Sequence, residues 1–428
     1  MLEKVFRLKE HNTTARQEIT AGVTTFLTMA YVIFVHPDML AQTGMDKGAL
    51  ITVTCLSAFI GTMITALWVN APLAMAPGMG LNAFFTYTLV FGQGASWEEA
   101  LGVVFISGLV FLILTLTGVR EMIIEAIPSQ LRLAVGAGIG LFIAFIGLQS
   151  LGLVVGNPAT LVGLGKVNIS VALGLVGFAV IGFLEMRGIK GGILIGILVT
   201  TILGVILGQV SLPASFISTP PSIAPVALKF DILGALKISM IGPIFSFMFV
   251  DLFDSVGTIM ACAHEAEMID EHGRIENASK ILEADAVATV VGSALGTSTT
   301  TTFIESASGI ADGGRTGLTA MTTALLFLVA PLFTPIIGIV PAFATAPALM
   351  IVGVYMFKNL LDIDFHDIEV AIPAFLTIIL MPLTYSISVG ISFGFISYIL
   401  VSIFSGDAGK IKPIMWIIGA LSLVEIIF

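Results

Sequence analysis

The sequence predicts an all-α polytopic membrane protein with about 14 transmembrane segments. Of its 428 residues, 57% are hydrophobic and only 11% are charged, and the mean hydropathy is +1.06. Soluble domains carry about 25% charged residues. At roughly 20 residues per crossing, the apolar stretches provide about 14 spans. A polar, proline-rich connection from Gln209 to Lys237 divides these spans into two sets of seven.

The first set begins after a polar N-terminus, residues 1–16, that has no hydrophobic signal segment. Its third span is interrupted, because Pro77 and Gly78 break a helix and a new one can begin near Gly80. The expected spans are Gln17–Val35, Ala49–Val69, Leu73–Phe91, Glu99–Thr117, Leu131–Leu153, Ile169–Phe183 and Gly191–Leu207.

The second set also has an interrupted third span, where five threonines fall between Thr297 and Thr302. β-Branched residues favour a strand, and Phe303 can then start a half-helix. The expected spans are Ile238–Cys262, Ala278–Leu295, Thr297–Ile310, Gly317–Ile339, Ala342–Phe357, Ile368–Thr384 and Ile387–Ser405. The apolar tail Ile414–Phe428 fits either an interfacial helix or a fifteenth crossing.

Charge distribution predicts a cytoplasmic N-terminus. With that orientation Lys47, Lys166, Lys229 and Lys237 lie outside, and the other 14 of the 18 Lys and Arg residues lie inside. This is a strong positive-inside bias. Because each half has an odd number of spans, the two halves are expected to be inverted relative to each other. Interrupted segments at matching places in two inverted halves indicate a transporter binding site.

Glu305 is the first candidate for that site. It falls in the first turn of the second half-helix, where free backbone N–H groups point forward. A carboxylate within a membrane span is costly and marks a functional site by default. The alternative is that Glu305 caps its own half-helix, although a Ser or Thr could do so without burying a charge.

Asp251 and Asp254 form the second candidate, and Asn82 the third. The two aspartates are three residues apart and share a helix face, where two ionised carboxylates would repel each other. A carboxyl that can hold a proton near neutral pH is what proton coupling requires. The alternative for each aspartate is a bond to a neighbouring helix. Asn82 offers a donor and an acceptor to a heterocycle, or it caps the first half-helix.

Other polar features carry no functional prediction. His36, His264, His272 and His366 are expected at span ends or in loops, and His264–Glu276 is interpreted as a solvated cytoplasmic loop. Cys55 and Cys262 are interpreted as small buried residues. The sequence contains no Walker motif, zinc-protease helix or basic tract. We therefore expect no cofactor, no metal, no nucleic-acid partner and no enzymatic activity.

Four motifs in order resemble one known family, the AzgA-like adenine/guanine/hypoxanthine permeases, a branch of the nucleobase–cation symporters related to uracil and xanthine permeases. The resemblance covers about Leu8 to Gly406. The motifs are TTFLTMAYVIFVHP (24–37), APGMGLNAFF (76–85), VDLFDSVGT (250–258) and TFIESASG (302–309).

The resemblance implies two inverted seven-segment repeats, residues 17–208 and 238–405. Segments one to four of each repeat would form a core domain, and segments five to seven a gate domain. The division is core 17–118 and 238–339, gate 130–208 and 342–405, an extracytoplasmic connection 209–237, and a tail 406–428.

In such relatives the base lies between the interrupted segments. Carried over to this chain, the binding residues are Asp254 and Glu305, with Asn82, and with Asp251 one turn before Asp254. Phe303, Tyr31 or Phe84 would cover a face of the purine. Gly80, Thr302 and Ser306 complete the predicted site.

The expected function is import of adenine, guanine or hypoxanthine across the plasma (inner) membrane, coupled to H⁺ or Na⁺. We expect Asp254 to carry the proton, with Asp251 as the other candidate. Glycine-rich gate segments would serve gating or a homodimer equally well. The alternatives are a permease for uracil, xanthine or ascorbate, an ion channel, or an intramembrane aspartyl protease. A protease requires aspartates on adjacent spans, and a channel does not need two interrupted segments.

Overall fold

The computed structural model describes residues 2–266, 268 and 277–427, and this part of the chain is mostly helical. Nine of its helices are long and apolar enough to cross a membrane. Two shorter apolar helices, Gly192–Ile206 and Ile368–Thr384, the helix Ala278–Leu295 and two strand-and-helix segments bring the count in the described residues to the predicted 14. The predicted fold class is confirmed.

The first repeat contains one long segment that is bent near its middle and one that begins as a strand. Its elements are α1 (Leu2–Phe6), α2 (Ala15–Met29), α3 (Val32–Ala41), α4 (Lys47–Ile64) with a π-helical end Thr65–Val69, β1 (Met75–Pro77), α5 (Met79–Ala83) with a π-helical continuation Phe84–Gly92, α6 (Trp97–Leu116), α7 (Val119–Ala126), α8 (Ser129–Ser150), β2 (Val154–Asn157), β3 (Leu161–Leu164), α9 (Ile169–Met186) and α10 (Gly192–Ile206).

The rest of the chain comprises the connection, the second repeat and the tail. Its elements are α11 (Ile232–Ala235), a 3₁₀ turn Ile238–Met240, α12 (Ile241–Glu265), α13 (Ala278–Leu295), β4 (Thr300–Thr302), α14 (Ser306–Ala311), α15 (Gly317–Val329), a 3₁₀ turn Ala330–Phe333, α16 (Thr334–Gly338), α17 (Ala342–Phe357), a 3₁₀ turn Lys358–Asp362, α18 (Ile368–Thr384), α19 (Ile387–Phe404), a 3₁₀ turn Ala408–Lys410 and α20 (Pro413–Ile427).

The first span differs from its prediction. It runs from Ala15 to Ala41 and is interrupted at Ala30 and Tyr31, between α2 and α3. The expectation that His36 lies at a span end is therefore wrong: His36 is inside α3 and fully buried. The polar pattern after Val35 hid this extension, because Pro37 and Asp38 resemble a helix end.

Three further regions can be compared with what the sequence predicted. The apolar tail forms α20, whose 15 residues rise only about 22 Å, less than the roughly 30 Å of a bilayer's apolar layer. The antiparallel hairpin β2–β3 between α8 and α9 was not predicted. The expected loop His264–Glu276, with His272 and Arg274, lies largely outside the described residues.

A buried carboxylate connects the two repeats. Glu18 in α2 is fully buried and accepts hydrogen bonds from the backbone N–H groups of Arg315, Thr316 and Thr319 at 2.9, 3.2 and 3.2 Å. These groups lie at the start of α15, which has no partners for them within its own helix. The charge favours the positive end of that helix dipole, so the contact stabilises the packing of α2 on α15.

The helices associate in two groups. In one, α2, α4, α6, α12, α13 and α15 pack around the two strands β1 and β4; in the other, α8, α9, α10, α17, α18 and α19 pack together. Gly140 allows α8 to approach α17 closely, since a Cβ there would lie 2.6 Å from the backbone nitrogen of Phe357. Gly196 similarly packs against Ile181 of α9. Both glycines are covered by neighbouring helices of the same chain, so neither can contact a second copy.

Candidate binding site

The interrupted segments of the two repeats meet as an antiparallel strand pair. The register places Met75 opposite Thr302, Ala76 opposite Thr301 and Pro77 opposite Thr300. The pair is extended by hydrogen bonds from Gly78 N to Thr299 O (3.0 Å) and from Phe303 N to Ala74 O (2.9 Å). Both strands are completely buried. Each strand then turns into a half-helix, so α5 and α14 leave the crossing from opposite ends.

Side chains satisfy the backbone groups that point away from this pair. Thr62 Oγ1 accepts from Met75 N at 2.9 Å and donates to Met75 O at 3.0 Å. Thr289 Oγ1 lies 3.0 Å from Thr300 O. Pro77 has no N–H group and so needs no acceptor. Water cannot serve these groups inside a membrane, which explains why α4 and α13 carry hydroxyls facing the strands.

Glu305 lies at the N-cap position of α14, but its side chain makes no capping bond. Instead it accepts a 2.7 Å hydrogen bond from the phenol of Tyr31. Tyr31 is at the interruption of the first span, and its side chain is almost fully buried. Glu305 itself is half-buried, so the carboxylate is held by one donor and still reaches an accessible space. The capping alternative raised by the sequence does not match this geometry.

Asp254 and Asp251 have different surroundings although they lie one helical turn apart in α12. Asp254 is half-buried, faces Glu305 and lies near Gly78, where a Cβ would be 4.0 Å from its Oδ2. Among the described residues, none donates a hydrogen bond to it. Asp251 is almost fully buried and faces α13, with Thr289 Oγ1 3.3 Å from its Oδ2. The structure thus brings Asp254, Glu305 and Tyr31 together and leaves Asp251 behind the strands.

Asn82 is fully buried in α5 and connects the two interrupted segments. Ser298 Oγ donates to its Oδ1, and its own Nδ2 donates weakly to Pro77 O at 3.4 Å. Next to it, Nε2 of His36 lies 2.7 Å from Thr297 Oγ1. Asn82 and His36 therefore both contact the residues that precede β4.

The remaining predicted residues lie around the crossing. Phe303 follows β4 and is largely buried, and Ser306 Oγ accepts the backbone N–H of Ala74 at 3.0 Å. Thr302 faces α13, not the carboxylates of Glu305 and Asp254. Gly80 contacts the other helix group, since a Cβ there would lie 2.7 Å from Ile139. Phe84 stacks on Phe247 with ring centres 4.5 Å apart and is fully buried.

Sequence reasoning missed Asp285, which is fully buried in α13. It accepts from Thr302 N at 2.8 Å, Thr302 Oγ1 at 3.1 Å and Ser255 Oγ at 2.7 Å. The signal was present, because Asp285 is a carboxylate inside an otherwise apolar predicted span, the same feature that singled out Glu305. His36 was discounted because its span was predicted to end too early.

Comparison with known proteins gives a match to a family described as "Permease family" (Xan_ur_permease) over residues 16–393. The chain is 47% identical to a putative permease of Methanocaldococcus jannaschii, over 99% of this chain and 97% of that one. It is 43% identical to the adenine permease AdeP of Escherichia coli K12, over 100% and 96% of the two chains. It is also 43% identical to the guanine/hypoxanthine permease PbuG of Bacillus subtilis, over 100% of both.

A solved structure shares the fold. The transmembrane domain of the cyanobacterial bicarbonate transporter BicA superposes with a TM-score of 0.65, covering 90% of this chain and 97% of that one. The sequence identity is 17%, so this similarity concerns the fold alone.

Replacing Asn82 with Ala should weaken binding of the purine expected from the sequence by about tenfold, the effect of one lost buried hydrogen bond, and leave the protein folded. Ser298→Ala is the matched control, because it removes the same intramolecular contact from the other side. Equilibrium binding to the purified protein measures both. If the two variants bind equally well, Asn82 acts only through Ser298 and does not contact the purine.

Proposed function

Because the chain belongs to the permease family matched over residues 16–393, with full-length relatives named as adenine and guanine/hypoxanthine permeases, we propose that it imports purine nucleobases across the cell membrane. It is a multi-pass membrane transporter and not an enzyme. The observation in the molecule that carries the proposal is the pair of half-buried carboxylates, Asp254 and Glu305, beside the strand crossing.

The unused acceptor capacity of these carboxylates suits a purine. A purine presents several N–H donors and ring-nitrogen acceptors around a flat apolar ring. An ionised carboxylate can accept up to about four hydrogen bonds. Glu305 receives one side-chain hydrogen bond, from Tyr31, and Asp254 receives none from the described residues. Purine N–H groups would therefore fill positions that the protein leaves open at Glu305 and at the carbonyl oxygen that Asp254 keeps when it holds a proton. Phe303, two residues before Glu305, is the proposed cover for the ring.

The coupling ion is proposed to be a proton carried by Asp254. Burial disfavours an isolated negative charge, and Glu305 and Asp285 both face this residue. Glu305 has a phenol donor that stabilises its ionised form, whereas Asp254 has no such partner among the described residues. Binding a proton at Asp254 is the simplest way to remove one of two neighbouring charges before the site moves through the membrane.

Transport is proposed to move the core group of helices against the gate group, with the N-terminus in the cytoplasm. Few polar contacts cross between the groups in the described residues. At the predicted outer side Thr345 Oγ1 donates to Asp38 at 3.3 Å, and at the predicted inner side Lys190 pairs with Asp312. A cavity of about 560 Å³ lies at the outer boundary, lined by Asp38, Gln42 and Tyr87 from the core and by Leu349 from the gate.

Uptake of radiolabelled hypoxanthine, adenine and guanine into cells that lack their own purine permeases tests the function. We expect saturable uptake that is abolished by a protonophore. Unlabelled uracil and xanthine, added as competitors, test the alternative substrates, and replacing sodium with potassium tests Na⁺ coupling. Absence of purine uptake with efficient uptake of another base would contradict the proposal.

Glu305→Gln should chiefly weaken binding. The amide keeps the shape but replaces one acceptor oxygen with a donor, so a charge-assisted bond worth roughly 1.5–3 kcal/mol is lost. This corresponds to about a 10- to 150-fold higher Kd for the purine, measured by equilibrium binding. Glu283→Gln, on α13 away from the crossing, is the control. An unchanged Kd in Glu305→Gln would remove Glu305 from the binding site.

Asp254→Asn should separate binding from coupling. Asparagine imitates the protonated acid and cannot release a proton, so purine binding should persist while accumulation driven by a pH gradient is lost. Binding and uptake measured at several pH values between about 5.5 and 8, a range that brackets carboxyl titration near neutrality, give the result. If the variant still concentrates purine under an imposed proton gradient, another group carries the proton.

A cross-link between the helix groups should stop transport. In a chain with Cys55 and Cys262 replaced by Ala, a reducible bifunctional thiol reagent would join cysteines at Lys190 in the gate and Asp312 in the core. The reagent is needed because ion-paired lysine and aspartate positions are farther apart than a disulfide spans. Cysteines at Glu99 in the core and Lys237 in the connection, which pair without the gate, are the matched control. We expect cross-linking to inhibit only the first pair, with recovery on reduction. Full uptake by the cross-linked first pair would contradict relative motion of the two groups.

A further inference from the structure

Behind the strand crossing lies a second pair of carboxylates, Asp251 of α12 and Asp285 of α13, which the proposed binding site does not use. Both are buried, and neither has a Lys or Arg among the described groups that face it. The titratable groups facing Asp251 are Asp254 on its own helix and Asp285 on the neighbouring one. Two ionised carboxylates here would be buried close together without a cationic partner, so they would repel each other.

The contacts of Asp285 suit an ionised carboxylate. The backbone N–H of Thr302 and its hydroxyl both donate to Oδ1, at 2.8 and 3.1 Å, and the hydroxyl of Ser255 donates to Oδ2 at 2.7 Å. Thr301 Oγ1 lies 2.7 Å from Ser255 Oγ. With Asp285 ionised, the single proton of Ser255 is used on that carboxylate, so Thr301 is the donor of this contact. Three donors surround one acceptor-only group, as a carboxylate requires.

The same count leaves Asp251 without a free donor, because the hydroxyl of Thr301, which also faces Asp251, donates to Ser255. Its nearest hydroxyl is Thr289 Oγ1, 3.3 Å from Oδ2, but Thr289 has one proton and lies closer to Thr300 O, at 3.0 Å. That carbonyl points away from β1. Thr300 lies opposite Pro77 at a position that makes no strand hydrogen bonds, and the residues on either side of it make them. The Thr289 proton therefore belongs to the strand, and Asp251 must supply the proton for its own contact. Its Oδ1 has no hydrogen-bond partner among the described residues.

We propose that Asp251 stays protonated throughout transport while ionised Asp285 is a positioning residue that fixes β4 and, through it, Phe303 and Glu305. The strand is the piece of backbone that leads directly into the binding residues. Asp285 holds its last residue by both the N–H and the hydroxyl. A neutral Asp251 lets that single charge exist without a second one beside it. The assignment rests on the proposed function only in the experiments that measure purine binding or uptake.

Two conservative substitutions test the assignment in opposite directions. Asp285→Asn places an NH₂ group or a weaker acceptor opposite three donors, so it should lower the thermal unfolding midpoint of the full chain in detergent and weaken hypoxanthine binding by about tenfold or more. Asp251→Asn imitates the protonated acid, so it should leave the unfolding midpoint within the range of the control Glu283→Gln and leave the shape of the pH profile of uptake unchanged. Asp285→Glu, which keeps the charge, should restore part of the lost binding.

Infrared spectroscopy of the purified protein gives a direct readout that does not depend on the substrate. At pH 8 the variant Asp254→Asn, which lacks the other carboxyl proposed to hold a proton, should show a protonated-carboxyl C=O band. That band should be lost when Asp251→Asn is added and kept when Asp285→Asn is added. The proposal is overturned if the band is absent from Asp254→Asn or survives the addition of Asp251→Asn. It is also overturned if Asp251→Asn changes the pH profile, or if Asp285→Asn has the midpoint and binding of the wild type. If the wild type binds no purine, the band and the unfolding midpoints still decide the assignment.

Discussion

The need to satisfy backbone hydrogen bonds at the centre of a membrane protein determines how this structure is built. Two segments give up helical structure where water is excluded, and each exposed N–H or C=O group there would cost several kcal/mol. The antiparallel pair β1–β4 satisfies the groups that face inward. The groups that face outward are met by Thr62 from one repeat and by Thr289 and Asp285 from the other. Pro77 removes the one N–H group that would otherwise need a partner on its side.

This requirement also explains why the repeats cannot separate. Each strand depends on the other repeat for its ladder bonds, and Asn82 and Glu18 add contacts from the first repeat to the second. The crossing is therefore a single hydrogen-bonded unit formed by both halves, and the segments that leave it carry candidate binding residues. A site built on such a unit can move as a whole without losing its geometry, which is what a moving core domain requires.

The sequence was sufficient for the elements but not for the orientation of their side chains. The span Ala278–Leu295 is found with the predicted ends, and the threonine run forms the predicted strand, because hydropathy and β-branching act locally. The roles of Asp251 and Asp254 could not be separated, since residues three apart differ by about 60° around a helix and packing decides which faces a neighbour. The bond from Tyr31 to Glu305 joins residues 274 apart and depends on an interruption in the first span that no local signal marks.

The distribution of donors then indicates where a ligand is needed. Around the strands Asp285 has three donors, and the carbonyls of Met75 and Thr300 each have a hydroxyl. Glu305 has one side-chain donor, and Asp254 has none among the described residues, yet both are half-buried and lie in the same space. Threonine hydroxyls supply donors behind the strands, whereas these two carboxylates in front of the strands have fewer donors than they can accept. A flat, uncharged molecule with several N–H groups would supply the missing donors. An anionic solute would instead add another acceptor. The donor count that favours a neutral Asp251 thus also favours a neutral, N–H-rich solute over an anion. The chain shares its fold with the transmembrane domain of a bicarbonate transporter.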